Sequence, residues 1–368
     1  MLRNSPFIKN KDQGTFAYQK IIEVLCRSVM DPNNYYVICG TYRIPLYHGL
    51  TAKKKIEDVI NSPSFSKSSF EREYESRWSD APAGAAFNVN MISALRQVKL
   101  TELKNKLTTT QLEEGCFYVI CADMAKDGAA ETAVGVAKVI PKEHFFTYKF
   151  VNLFSITSTD YMVIANEFKK AVLLYNAKLL IYDANGIGAA MRDWLNKETR
   201  DDHGIIYEGL GIINPPTDAE KDLIAYPKEK TICYEIKSGG TIGEQIHYFF
   251  FSRMSTGAIT YPLKLTDAIA LYGRNKGFMD MSMRKQKEIL APFQVMDKME
   301  QQLKNLDILN TSDAMTNRLK IVRRNAKIQK DYFSMAEYLV WAVNKQFELE
   351  YYKRKRQKGK GRKIAFFD

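Results

Sequence analysis

Three aspartates stand where divalent-metal chemistry on a phosphodiester could be carried out. They are Asp123 in CFYVICADMAKDGAAETAVGVAKVI (116–140), Asp183 in KLLIYDANGIGAAM (178–191) and Asp331 in KIQKDYFSMAEYLVW (327–341). Carboxylate oxygens are hard donors suited to Mg²⁺ or Mn²⁺. Two such ions about 3.5–4 Å apart can activate a water and stabilise the leaving oxygen of an in-line displacement. Without metal the three charges repel, and at least one carboxyl should titrate high. Each residue alone also has an ordinary use. Asp183 before Asn185-Gly186 suits an Asx turn or a helix cap, Asp331 suits a helix N-cap, and Asp123 could brace a hairpin. It is the order of all three around their elements that favours a shared site. Glu131 and Asp127 lie in the turn after Asp123; either could be an accessory ligand, and Asp127 reads more readily as a solvated turn residue.

Those elements follow from apolar patterning. FYVICAD (117–123), TAVGVAKVI (132–140) and residues 143–156 read as three strands, the first two joined by a turn at 126–131. Residues 159–176 form a helix with Tyr161, Ile164, Phe168, Val172 and Tyr175 on one face. KLLIYDA (178–184) is a short apolar strand ending at Asp183, followed by a helix over 187–197. Weaker strands are expected at 205–212 and 231–237, a helix at 241–255 closed by Gly257, and a last helix over 331–350. Residues 265–325 carry no clear pattern. Toward the N-terminus the reading is a helix over 15–30, a buried strand over 34–45 closed by Pro45 and a helix over 51–61. An amphipathic helix over 70–78, a turn-like connection from 79 to 87 and a basic helix over 91–107 follow. Strands and helices in this order predict an α/β fold with a mixed sheet, in which strand ends that feed helices hold the functional groups.

Composition narrows the class. A chain of 368 residues suggests two domains. No apolar run approaches the roughly 20 residues of a membrane span, and MLRNSPFIKNKDQG does not read as a secretory leader. Five scattered cysteines, of which only Cys116 and Cys121 are close in sequence, complete no zinc site and read as reduced thiols. His48, His144, His203 and His247 lack metal-type spacing, and His247 reads as an ordinary helix residue. No G-x-S-x-G elbow is present, and Gly186-Ile187-Gly188 is explained by the turn after its strand. The net charge of +12 is concentrated at the end, where Lys353, Arg354, Lys355, Arg356, Lys358, Lys360, Arg362 and Lys363 lie together. That tail, 351–368, is expected to be a solvated, unstructured end able to touch phosphates. Nuclear targeting ranks below that reading.

Taken together, the three acidic segments resemble the nuclease domain of the genome-packaging terminase, large subunit, of tailed bacteriophages. Asp123, Gly128, Glu131 and Thr132-Ala133 match the family's first motif of strand, Gly-rich turn, acid and second strand. IYDANGIGAAM matches its second. KDYFSMAEYLVW matches its third, which selects Asp331 over Asp307 and Asp313. HYFFFSRMSTGAITYP (247–262) resembles the segment between the second and third motifs. The likeness implies an RNase H-like mixed sheet flanked by helices over 111–350. It implies catalytic and metal-binding roles for Asp123, Asp183 and Asp331, with Glu131 as a further ligand and two Mg²⁺ or Mn²⁺ ions as cofactors. The activity implied is endonucleolytic cutting of concatemeric double-stranded DNA. Lys330, Lys353, Arg354, Lys355 and Arg356 would hold the DNA backbone.

NNYYVICGTYRIPLYHGL and FEREYESRW look like the end of the packaging ATPase and its linker, so that 1–110 would be a smaller, partial ATPase-derived segment. The phosphate loop G-x-x-x-x-G-K-[ST] and a Walker B strand are absent from the sequence, so ATP hydrolysis by this chain alone is not expected. The implied partners are double-stranded DNA, a portal protein, a small terminase subunit and a separate ATPase chain, with no membrane, in the cytoplasm of an infected bacterium. Two other readings stand beside it: a non-catalytic docking subunit of a packaging motor, and another RNase H-like nuclease of resolvase or integrase type.

Overall fold

The computed structural model describes residues 15–35, 40–60, 70, 74–75, 85–102, 115–124, 131–184, 188–214, 230–313 and 316–360. The chain divides into two compact units, Met1–Val89 and Asn90–Asp368. In the first lie helices α1 (Thr15–Met30), α2 (Arg43–Tyr47) and α3 (Lys53–Ile60). The strand expected over 34–45 is not formed as read. Residues 36–39 lie outside the described ones, and Arg43–Tyr47 is a short helix. Pro45 sits in its first turn, where no backbone N–H is needed, so the residue taken as a strand terminator is instead tolerated inside a helix. Phe70 is buried and stacks on Tyr74, with ring centroids 4.9 Å apart. Most of the helix expected over 70–78 lies outside the described residues.

The second unit is built on an eight-stranded mixed sheet. Its strands, with helix α4 (Val89–Leu95) leading in, are β1 (Arg96–Val98), β2 (Phe117–Asp123), β3 (Thr132–Pro141), β4 (Phe146–Ile156), β5 (Leu179–Asp183), β8 (Leu210–Ile212), β9 (Lys230–Ile236) and β10 (Ile259–Pro262). The spatial order is β1-β10-β4-β3-β2-β5-β9-β8. A small separate ribbon pairs β6 (Thr199–Arg200) with β7 (Ile206–Tyr207). β2, β3 and β4 form an antiparallel meander, and β5 then joins β2 in parallel. β2 and β5 are buried along almost their whole length, as central strands covered on both faces must be. This meander followed by parallel strands on the first strand's free edge is the RNase H-like arrangement expected from the motifs.

Helix α5 (Tyr161–Tyr175) crosses between β4 and β5. Asp160 caps it by accepting from the Met162 N–H at 2.8 Å, and Asn176 ends it in the left-handed conformation at φ 45°. Ile164, Phe168, Val172 and Tyr175 are buried, the face read from their spacing. With α6 (Gly188–Asn196) this helix covers one side of the sheet. On the other lie α7 (Gly240–Ser255), α10 (Met283–Lys304) and α11 (Asp331–Val343), with α11 packed on β2, β3 and β5. Gly135 of β3 permits that packing, because a Cβ there would collide with the side chain of Met335.

Three sequence expectations change. The helix read over 91–107 stops at Leu95, and Arg96–Val98 becomes an edge strand parallel to β10. The buried Arg96 guanidinium donates to the Pro262 and Leu263 carbonyls and pairs with Asp297 and Glu300. These tertiary partners outweigh local helix propensity. Residues 265–325, unreadable in sequence, are α8 (Leu265–Tyr272), α9 (Lys276–Met279), α10 and an antiparallel hairpin of β11 (Leu306–Asp313) and β12 (Thr316–Arg323). The final helix also does not end at 350. A π-helical turn (Asn344–Glu348) leads into α12 (Leu349–Lys360), so the first part of the basic tail is helical. Residues 361–368 lie outside the described ones.

Candidate active site

Asp123 and Asp183 are the last residues of neighbouring parallel strands. Ala122 pairs with Tyr182, so the next position on each strand carries an aspartate at the same edge of the sheet. Both strands are apolar to that point because they are central; the chain turns polar only where it leaves the sheet. Asp331 opens α11, whose following turns lie on β2 and β3. Its side chain is therefore delivered to the same edge from the layer above.

The charges of Asp183 and Asp331 both act on Asp123. Burial pushes the Asp123 carboxyl well above the usual carboxylate range, and the charges of Asp331 and Asp183 push it further. The Lys330 ammonium and a hydrogen bond from Ser334 act against that rise. Burial also raises Asp331, opposed by Arg323 of β12 and by Lys330. Neighbouring groups feel the same negative potential. The Tyr338 phenol is raised by burial and then by Asp183 and Asp123, and the buried Cys121 thiol by burial and then by the same two aspartates. Asp123 is thus the residue on which the negative potential of the other two aspartates falls.

Lys330, at the N-cap position of α11, acts on Asp123, Asp331 and Glu337 at once. It belongs to this edge. Glu131 stands immediately before β3 and raises the Tyr332 phenol, itself pushed up to about 12 chiefly by burial. Its carboxylate lies 3.4 Å from Lys298 of α10. Asp127 lies outside the described residues. Lys353, Arg354 and Lys355 are not brought here. They are exposed on α12, past the π turn, roughly 30 Å along the helical axis from Asp331 at about 1.5 Å per residue. The Arg356 side chain lies outside the described residues.

Several neighbours escaped the sequence reading. Ser334 and Tyr338 follow Asp331 at i+3 and i+7, a helical face that the spacing could have marked. Ser238, whose hydroxyl is 2.7 Å from that of Tyr338, comes from the β9–α7 connection, and no local signal points to it. His247 Nδ1 lies 2.6 Å from the buried Glu337 carboxylate, and its ring stacks near Phe333. Burial raises Glu337, and the hydrogen bond with His247 opposes the rise. Behind β5, Glu235 takes both Arg192 and the Tyr182 hydroxyl at 2.7–2.8 Å, a brace beneath Asp183.

The donor set fits a hard divalent cation in chemistry: three carboxylates in a negative potential that such an ion would relieve. In position it is not a finished cage. Among the described residues no group of three or more His, Cys, Asp or Glu side chains is set to hold a metal ion. An ion would have to draw these carboxylates together.

No family model matches the chain, and no curated protein does. Solved structures do. The large terminase nuclease from thermophilic phage G20c aligns with a TM-score of 0.38 and 12% identity, over 70% of this chain and 98% of that one. The nuclease domain of the large terminase subunit of bacterial virus Sf6 aligns at 0.36 and 12%, over 70% and 97%. The large terminase of bacteriophage HK97 aligns at 0.37 and 9%, over 88% of this chain and 60% of that one. These structural neighbours are large terminases and their nuclease domains. The G20c nuclease was also solved with magnesium and with cobalt, and a mutant Sf6 domain with manganese and with calcium. Among the described residues no helix is long and apolar enough to cross a membrane.

Proposed function

We propose that this chain carries the nuclease of a packaging terminase large subunit, a divalent-metal endonuclease that hydrolyses double-stranded DNA as concatemers are cut and packaged. One observation supports the reading: Asp123 and Asp183 end neighbouring parallel strands, and the charges of Asp331 and Asp183, which lie far apart in the sequence, both raise the Asp123 carboxyl. Structural carboxylates are normally given counter-charges; here the other two aspartates outweigh Lys330 in their effect on Asp123, which suits a cation site.

Asp123, Asp183 and Asp331 would hold two Mg²⁺ or Mn²⁺ ions, with Glu131 an accessory ligand once released from Lys298. When bound, the ions supply an activated water and stabilise charge on the leaving oxygen. The remaining work falls to the chain's own groups. Lys330 offers a compact positive charge to a phosphate oxygen at the same edge. Ser334 orients Asp123, and the Ser238–Tyr338 pair fixes a phenol beside Asp183. Lys330 and the basic residues of α12 would meet the DNA backbone and carry no sequence information. The resemblance further suggests a portal protein, a small terminase subunit and a separate ATPase chain as partners.

The test is cleavage of supercoiled plasmid with Mg²⁺ or Mn²⁺, with and without EDTA, by the wild type and by Asp183→Asn. Metal-dependent nicking or linearisation that the variant lacks while remaining folded supports the reading. Full activity in the variant reduces Asp183 to a turn residue.

A further inference from the structure

Among the described residues of the second unit, exposed apolar side chains gather on the segment that sequence reading could not parse. Met279, Met281 and Met283, at the junction of α9 and α10, are 57%, 38% and 68% exposed. Ile269 and Leu271 on α8 are exposed as well. The platform beneath is built and ordered. Asn275 caps α9 through the Phe278 N–H, and Phe278 is buried against Tyr272, which in turn packs on Phe293 of α10. The Gln286 amide then ties the connection down, donating to the Phe278, Met279 and Met281 carbonyls at 3.1–3.3 Å. Side chains held out by such a scaffold are presented, not frayed.

Charge surrounds the methionines. Arg284, Lys285 and Lys287 follow them directly, and Asp280 is the one acid between 279 and 287. Arg284 pairs with Glu288 at 3.5 Å, whereas Lys285 and Lys287 make no ion pair among the described residues. A shallow groove of about 520 Å³ runs between Met283, Arg284, Lys287, Glu288 and Ala291. Thioethers are dehydrated only by an apolar counter-surface, and their polarisable, flexible chains adapt to varied ones. Arg284 and Lys287, both on the groove face, call for carboxylates in the same occupant.

We propose that this platform docks an acidic amphipathic segment of a partner protein, its apolar side chains on Met279, Met281 and Met283 and its carboxylates on Arg284 and Lys287, three residues apart on one face of α10 and both lining the groove. The surface lies at the opposite end of α10 from Lys298, the residue that reaches Glu131. Fifteen residues of helix separate Met283 from Lys298, about 22 Å at 1.5 Å per residue. Occupancy therefore leaves the carboxylate edge open.

The experiment uses the full chain and fluorescence anisotropy. The probes are an acidic amphipathic peptide of about 16 residues with Leu on one face and Glu on the other, its counterpart with Lys for Glu, a labelled DNA duplex and anionic vesicles. Two double variants change exposed positions only: Met281→Gln with Met283→Gln, and Arg284→Glu with Lys287→Glu. The acidic peptide should bind, and each pair should weaken it about tenfold or more, with the melting temperature unchanged. Asp183→Asn should bind the peptide as the wild type does, which separates this proposal from the nuclease reading. Equal binding of the acidic and basic peptides, or wild-type affinity in both double variants, would overturn it. So would duplex or vesicle binding that depends on the methionine pair, or self-association lost with that pair, which would make a second copy of this chain the occupant.

Discussion

The carboxylate edge and the seam between β1 and α10 treat buried charge in opposite ways. At the seam, Arg96 and Glu300 are both buried, and every charge has an answer. Arg96 pairs with Glu300 and Asp297 and donates to two backbone carbonyls, while Glu300 also takes Lys304 at 2.6 Å. Burial raises the Glu300 carboxyl, but Lys304 and Arg96 outweigh it and leave it below the usual range. At the edge, Asp123 faces the charges of Asp331 and Asp183 with Lys330 and Ser334 as its relief, and it is driven up. The same residue types in the same domain thus serve cohesion in one place and are held in tension in the other. Tension of that kind is what a bound cation would release.

The comparison breaks most easily at Asp183. Asp183→Asn removes charge and little volume, so plasmid cleavage should fall by about three orders of magnitude or more, with the melting temperature held or raised. A clear loss of stability instead would place Asp183 with the seam. Arg96→Met is the converse. It leaves Glu300 buried beside Lys304 alone, and denaturant unfolding should show a loss of about 3 kcal/mol, with specific activity of the folded fraction retained. Addition of Mg²⁺ should stabilise the wild type by about 2.7 kcal/mol at a hundredfold excess over its dissociation constant. In a thermal shift assay this gain should vanish in Asp183→Asn and persist in Arg96→Met.

Acid should affect the two regions with opposite sign. Asp123 has a folded-state pKa above its unfolded one, so its contribution is fully present below the usual carboxylate range and is lost as pH rises through the raised value. The metal-free wild type should therefore fall behind Asp123→Asn progressively as pH climbs from about 4 toward neutral. Glu300 is depressed, so its contribution is present above the usual range and lost as pH falls through the lowered value. The stability gap between wild type and Arg96→Met should shrink at low pH. Melting curves in EDTA across this range check both signs. The smallest effect is expected at α12. Replacing Lys353, Arg354 and Lys355 by Gln should lower the slope of log affinity against log salt by up to about 0.9 for each DNA phosphate that is no longer neutralised. The change should be equal on two unrelated duplexes, and cleavage at low salt should be unaffected.

Much of the site could be read without coordinates. FYVICAD and LLIYD are apolar until their final aspartates because a central strand excludes charge until it leaves the sheet, so sequence alone located Asp123 and Asp183 at strand ends. Asp331 could be read as the start of an amphipathic helix for a similar reason. Local patterning could not reveal partners that come from far along the chain. Arg96 abandons a helix for an edge strand because Glu300 and Asp297 wait on α10, about two hundred residues later. Ser238 reaches Tyr338 only once β9 lies beside β5. The basic tail, polar enough to read as unstructured, is helical through Lys360 because the π turn carries α11 onward and Tyr352 and Lys355 bond to the β3–β4 turn. Sequence by itself determined which residues carry charge and where the central apolar strands β2 and β5 end, because periodicity is a local property. Tertiary structure decided which of those charges are answered and which are brought to face each other, because compensation depends on distance in space.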